Sequence, residues 1–451
     1  MQAFYRTLNR LIPLLIFLFT VQCGSVVAQD PAFPGLTGPR EITVIPSAQE
    51  PTSPARYDAG GSNSMAVYLN DEAGSWLGLA HGLKAHGVPF RITRDLDAAL
   101  SHDVVLVYPS LTGSNTTPEQ MRRLSRFVAD GNTLIGFSVI GRGMAATFGF
   151  DSYKERNDLS QLRFELNKFT RQFVLHEAEA ELNLVAPDRL AAGVSYGSLK
   201  FPAIASFDDG SGAVIFNRIE NGGRTGYAYA IGFDIGHYTL RAFNGRFVDV
   251  VDHYVNSYQP KVDTLFRLIA AIYWQGEENP VQLVSAPFNK DFTALITHDI
   301  DFTRSMANIA DYADLEISLG VPATYFIQTK YVTDYNDKAF FSRQNQPLLE
   351  HLLAAGMEIG SHSVSHSNEF RNMPIGTGTE QYPDYQPFVE NFDNVRDASI
   401  SGELRVSKFL LEQLGGSKVT AFRPGHLSLP RQLPELLQAA GYQFSSSITA
   451  N

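Results

Sequence analysis

Cysteine is almost absent from this chain. Cys23 is the only one in 451 residues, which excludes a disulfide framework, a cysteine-ligated zinc site and, outside the extreme N-terminus, a thiol nucleophile. Basic charge is also scarce: 36 Lys and Arg stand against 47 Asp and Glu, the formal charge is −11, and no basic block rises above that background, so a nucleic-acid partner is not expected. The one long apolar run, "LIPLLIFLFTV" at 11–21, falls well short of the ~20 residues of a membrane-spanning helix, so no span is expected. No internal repeat or low-complexity tract is present. What remains is an acidic chain, 44% hydrophobic and 12% aromatic, long enough for two or more packed domains.

Arg6 and Arg10 precede the apolar run, and "VVA" at 26–28 supplies residues suited to cleavage. Residues 1–28 therefore read as an export signal, and the mature protein as periplasmic or extracellular and free of thiols. The rival reading is a lipid anchor at Cys23; Thr20 and Gln22 suit such a signal poorly, which favours soluble export. Residues 29–62, rich in Pro, Gly and Ser, predict an extended lead-in that makes few contacts.

From "MAVYL" at 65–69 the pattern alternates between buried-strand runs such as "DVVLVYPS" and helical segments closing on Gly87 and Gly131. Strands separated by helices predict a doubly wound parallel α/β domain over 63–275, with Gly-rich strand turns later and a closing helix at 261–274. The arrangement resembles glutamine-amidotransferase-like domains in fold. An amidotransferase of that kind needs a cysteine nucleophile, so the resemblance implies a non-catalytic accessory or binding domain.

A second α/β run spans 288–451. Five strand-like pieces, at 292–301, 322–328, 357–362, 418–424 and 442–447, are separated by helical patterns that end at Gly320, Gly356, Gly415 with Gly416, and Gly441, each suited to a helix C-cap. Repeated strand–helix units without hairpin signals predict a (β/α) barrel. Five strands are too few to close one, so an incomplete barrel, and a longer parent protein, are expected.

Reactive groups of such barrels gather at the carboxyl ends of the strands. That rule collects Asp299 and Asp301 from "THDID", His362 and His366 from "HSVSH", and Arg423 and His426 from "FRPGH". Asp299 and Asp301 sit two residues apart, which on a strand turns both to one face; the plainer reading is a solvated pair or a helix N-cap. His362 and His366 sit at i and i+4, so a helical turn there would present both to one metal; the plainer reading is a polar turn. Two imidazoles with one carboxylate leave coordination positions open, as a catalytic zinc site requires. The same set also suits a non-haem iron oxygenase.

These three motifs, in this order and with the phrases "GVPATYFI" and "AGMEIGSH", resemble the polysaccharide deacetylases, the carbohydrate esterase family built on the NodB homology domain. The resemblance covers 290–451. It implies a divalent metal, zinc first with cobalt or manganese as alternates, held by Asp301, His362 and His366. It also implies Asp299 as general base, Arg423 as the group that orients it, and an oxyanion-binding N–H at Gly425 or His426. Ile300 separates aspartates that the family commonly has adjacent, so by sequence the roles of Asp299 and Asp301 are interchangeable. The family's last motif, with a general-acid histidine, would lie beyond Asn451. The long connection at 367–397 reads as a functional lid or a disordered segment. Its Tyr382, Tyr385 and Phe388 would either stack on sugar rings or pack the loop to the barrel. The implied activity is metal-dependent de-N-acetylation of an exported polysaccharide; the alternative is a non-catalytic glycan-binding protein on an inactive barrel.

Overall fold

The computed structural model describes residues 32–47, 52–184, 190–244, 262–284, 286–290 and 293–448. The expected export signal, its cleavage site and Cys23 lie outside these residues. No described helix is long and apolar enough to cross a membrane. Two compact units form among the described residues, one within 48–295 and one from 32–47 together with 296–447.

The first unit is built on an 11-stranded sheet: β1 (Met65–Leu69), β2 (Phe90–Thr93), β3 (Val104–Tyr108), β4 (Thr133–Phe137), β5 (Phe150–Leu159), β6 (Gln161–Phe164), β7 (Glu181–Asn183), β8 (Ala191–Leu199), β9 (Ala205–Phe207), β10 (Gly212–Asn221) and β11 (Arg224–Ile231). Strands β2-β1-β3-β4-β11 run parallel, and β10, β9, β6 and β7 continue the sheet antiparallel. The parallel strands are apolar throughout because both faces are covered. Met65, Val67 and Leu69 of β1 pack into the core beneath α1 (Trp76–Ala85) and the late helices α5 (Ile235–Asn244) and α6 (Asp263–Gly276). Ala66 and Tyr68 pack on the opposite face, with α2 (Leu96–Ala99), α3 (Pro118–Ala129) and α4 (Arg142–Phe148). Helices thus cover both faces of the parallel strands, a mixed α/β arrangement. The start of α3 is written into "TPEQ": the Thr117 hydroxyl accepts from the Gln120 N–H, the Gln120 side chain accepts from the Thr117 N–H, and Pro118 opens the helix.

The second unit carries an open, all-parallel sheet of β12 (Ile296–Ile300), β13 (Ala323–Ile327), β14 (Glu358–Ser361), β17 (Ala421–Phe422) and β18 (Phe444–Ser445), paired in that order. Between them lie α7 (Thr303–Leu319), α8 (Gln346–Ala354), α9 (Ile400–Gly415), α10 (Leu433–Ala439) and a small hairpin of β15 (Phe388–Asn391) and β16 (Asn394–Arg396). All five expected strands are present, and Gly320, Gly356, Gly416 and Gly441 after the helices have φ between 66° and 78°, the left-handed turn that a side chain resists. The sheet curls. Strands β12 and β17 are three steps apart, about 14 Å if flat at ~4.8 Å per strand, yet the Arg423 guanidinium beyond β17 lies 2.6 Å from Asp299 on β12.

Two expectations are corrected here. Part of the lead-in is built into the second unit: Phe33 is fully buried in its core, its N–H donates to the Tyr382 hydroxyl, and Gly38 pairs with Tyr382 as an antiparallel bridge. The long connection is neither bare lid nor disorder. Phe370, Met373, Tyr382, Tyr385 and Val389 bury their side chains and fasten it to α9 and the N-terminal segment. A proline- and glycine-rich composition carries no sign of this because the partners lie more than 300 residues away in sequence.

Candidate metal centre

Strand alternation decides which side chains of "THDID" meet. Thr297, Asp299 and Asp301 turn toward Arg423 and the histidines. His298 turns the other way, its Nε2 lying 2.6 Å from Glu316 on α7 and its ring stacking on Tyr325, while Ile300 enters the core.

His362 follows the end of β14. The segment to His366 is a bend rather than a helical turn, which corrects the helical i,i+4 picture. Ser363 and His366 take φ of 66° and 53°, and this left-handed backbone folds the loop until the two rings lie 4.8 Å apart. Such conformations are uncommon away from glycine and persist where surrounding bonds over-determine them. Here the bonds are visible: the buried Glu403 carboxylate accepts the Val364 and Ser365 N–H groups at 2.8 Å each, and the Ser363 hydroxyl accepts the His366 N–H. Gly425 packs beneath the loop so closely that a Cβ would come within 2.8 Å of the His366 backbone and ring.

Asp301 completes the cluster. Its Oδ1 is buried and accepts no aligned hydrogen bond, yet it lies 3.1 Å from His362 Nε2 and 3.5 Å from His366 Nε2. Nδ1 of His362 sits 2.7 Å from the Arg423 carbonyl oxygen. A carbonyl only accepts, so Nδ1 carries the N–H and, in the neutral ring, Nε2 offers a lone pair. Burial, with lesser effects from the neighbouring cationic groups, pushes His366 down to about 3, so this ring is neutral. Burial opposes ionisation of Asp301 as well, but the His362 contact, with lesser effects from the neighbouring imidazoles, outweighs it and holds the carboxyl below its usual value. Two imidazole lone pairs and a carboxylate oxygen facing one another repel unless positive charge lies between them. A proton shared with His362 would leave His366 unanswered, whereas a divalent cation meets all three donors, so the residues fit the implied metal.

Around this centre, Arg423 donates from Nη1 to Asp299 Oδ1 at 2.6 Å, and from Nη2 to Thr297 at 3.0 Å and to Ser446 at 2.7 Å. The free Asp299 oxygen, Oδ2, lies 4.0 Å from His362 Nε2. His426, φ 53°, sets its ring 4.6 Å from that of His366. Asp299, Asp301, His362, His366, Arg423, Gly425 and His426 thus come together.

Tyr382 and Tyr385 do not offer their faces to a ligand. Both are buried, the Tyr382 hydroxyl accepting from Phe33 and the Tyr385 hydroxyl donating to Glu403 at 2.8 Å. Phe388 is capped by the Arg396 guanidinium, 4.4 Å above the ring. The exposed rings at the centre are two that sequence reasoning passes over. Phe302, half exposed, lies 6.3 Å from the His366 ring, and Phe392, at the turn of the β15–β16 hairpin, lies 6.3 Å from His426. Glu403 is a third residue it passes over. Its signal is a carboxylate in the apolar stripe of α9, three residues after Ile400 and beside Leu404.

Two predictions arise here. Glu403→Ala strands two buried N–H donors, so unfolding should cost on the order of 3 kcal/mol less and metal affinity should fall about 10- to 100-fold. Glu403→Gln keeps an acceptor oxygen and should recover part of both losses in thermal melts and metal titrations. In metal-free protein, Asp301 and His366 both have depressed values. Each favours folding above its ordinary value, 3.8 and 6.5, and that contribution is lost as acid protonates the folded form. Stability of the chelated second unit should therefore decline from about pH 6.5 toward about pH 3, and a melting temperature that is flat across this window would contradict the neutral-ring assignment.

Residues 290–445 match the family model described as polysaccharide deacetylase. Among solved structures, the chain is similar to the Xyl-CE4 domain of a multidomain xylanase from the hindgut metagenome of Trinervitermes trinervoides, with 19% identity over 33% of this chain and 55% of that one and a TM-score of 0.23. It is similar to a family 4 carbohydrate esterase from Streptomyces lividans in complex with acetate, with 19% identity over 34% and 62% and a TM-score of 0.23. It is also similar to a family 4 pseudoenzyme from Bacillus anthracis, with 16% identity over 34% and 41% and a TM-score of 0.22. The chain spans between 41% and 62% of the length of these three. No curated protein matches it.

Proposed function

We propose that the second unit is a divalent-metal hydrolase that removes N-acetyl groups from a polysaccharide, zinc being the preferred ion, and that the chain is exported to meet its substrate. The observation that carries this reading is the Asp301 oxygen, buried without an aligned hydrogen bond and faced by the Nε2 atoms of His362 and His366. The family match over 290–445 supports the reaction class.

Asp301, His362 and His366 would hold the ion. When bound, it supplies a Lewis acid for the acyl oxygen and makes nearby water more acidic. The remaining work belongs to the chain. Arg423 ties up Oδ1 of Asp299 and leaves Oδ2 directed toward the centre, so Asp299 acts as the base that takes one proton from water while the water oxygen attacks the acyl carbon. Arg423 is itself fixed by Thr297, Ser446 and the face of Phe326, and its carbonyl fixes the His362 tautomer. Collapse of the tetrahedral carbon breaks the C–N bond as the proton held by Asp299 passes to the leaving nitrogen, so acetate is released and the amine stays on the sugar. Phe302 and Phe392 flank the centre with exposed rings suited to a pyranose face.

Acetate release from N-acetylated glycan oligomers by zinc- or cobalt-loaded protein tests the proposal. Glycan binding by metal-loaded protein without acetate release would instead favour the non-catalytic alternative. Phe392→Ala should raise KM roughly 5- to 10-fold with kcat nearly unchanged, because a ring that grips ground and transition states alike contributes only uniform binding.

A further inference from the structure

The first unit holds a cleft of about 760 Å³, lined by none of the residues assigned a role above and within the ~300–1,000 Å³ usual for ligand sites. Its apolar wall comes from Phe169, Phe216 and Tyr229. Phe216 and Tyr229 are directly paired across β10 and β11, with ring planes 24° apart, and Phe169 lies 22° from Tyr229. Other aromatic pairs in the same unit meet edge to face, among them Tyr108 with Phe137 at 86° and Phe164 with Phe173 at 74°. Rings held nearly parallel direct their electron-rich faces along one axis, which suits a flat partner carrying polarised C–H bonds.

The rest of the lining is polar. The Tyr229 hydroxyl donates to Gln275 Oε1 at 2.9 Å, leaving the Gln275 amide N–H groups as donors. Glu165 and Ser206 also line the cleft, and their side chains hydrogen-bond to none of the described residues. Glu165 is the one charged residue among the lining. A pyranose has this combination of surfaces, a C–H face for the rings and hydroxyls for the amide, hydroxyl and carboxylate. As the one charge in the lining, this carboxylate favours a neutral or amino sugar over a uronate.

From this cleft we infer that the first unit is a second glycan-binding site, selective for neutral or amino-sugar pyranosides and independent of the metal centre. It would hold the polymer whether or not the second unit turns it over. The test is calorimetric titration of the whole chain with N-acetylated chitotetraose, chitotetraose and tetragalacturonate. His362→Ala, which removes the metal centre's contribution, should still bind the first two, and neither it nor wild type should bind the uronate. Phe169→Ala should weaken binding about tenfold or more. Glu165→Gln should weaken chitotetraose binding more than that of its acetylated form. Because Phe169 also contacts Phe173, Leu166→Asp, a rim substitution at an exposed position, serves as the second variant and should weaken binding without changing the melt. Absence of binding by wild type at millimolar sugar would overturn the inference. So would binding that His362→Ala abolishes while Phe169→Ala and Leu166→Asp leave it intact.

Discussion

Asp301→Asn is expected to remove stoichiometric metal binding and to lower acetate release by about a thousandfold or more. One atom is responsible. Oδ1 of Asp301 is the anionic oxygen that both His362 and His366 face. An amide there carries no negative charge, and its N–H2 can donate to an imidazole lone pair, satisfying without a cation the group that otherwise demands one. The metal-free variant should therefore melt no lower than metal-free wild type, which separates lost coordination from lost folding. Metal titration with cobalt, read by its visible absorption, checks the first point and thermal melts the second. An Asn variant that still binds one ion with wild-type affinity would sink the assignment.

Asp299→Asn should leave the metal in place and lower kcat by about 10²- to 10⁴-fold, the usual worth of a positioned base. Its Oδ1 is committed to Arg423 and its Oδ2 approaches the centre only to 4.0 Å of His362 Nε2. That position suits a proton acceptor more than a ligand. If Asp299→Asn loses the ion and Asp301→Asn keeps it, the two aspartates exchange roles, the alternative that the intervening Ile300 leaves open in the sequence.

Much of the site is legible in the sequence itself. The two-residue spacing of Asp299 and Asp301, the histidines after "MEIGS" and the arginine after "VTAF" mark strand ends because strand periodicity and glycine caps are local properties. The tyrosines show where local reasoning stops. Tyr382 and Tyr385 sit in a long polar connection that by itself leaves open whether they stack on sugars or pack the loop, and it is the N-terminal segment and α9 closing over them that decide. Phe302 and Phe392 look no different in the sequence, yet their rings reach the centre.

Alone, the sequence determined the parallel strand–helix alternation of both units, the turn positions, and the residues able to bind a cation, since each depends on neighbours a few positions away. Only the tertiary structure decided that the sheet curls until Arg423 meets Asp299. It alone decided that Glu403 holds the histidine loop in a left-handed bend, and that residues 32–47 belong to the second unit. Those contacts join residues tens to hundreds of positions apart, where packing and hydrogen-bond satisfaction choose the partner and no local pattern records the choice.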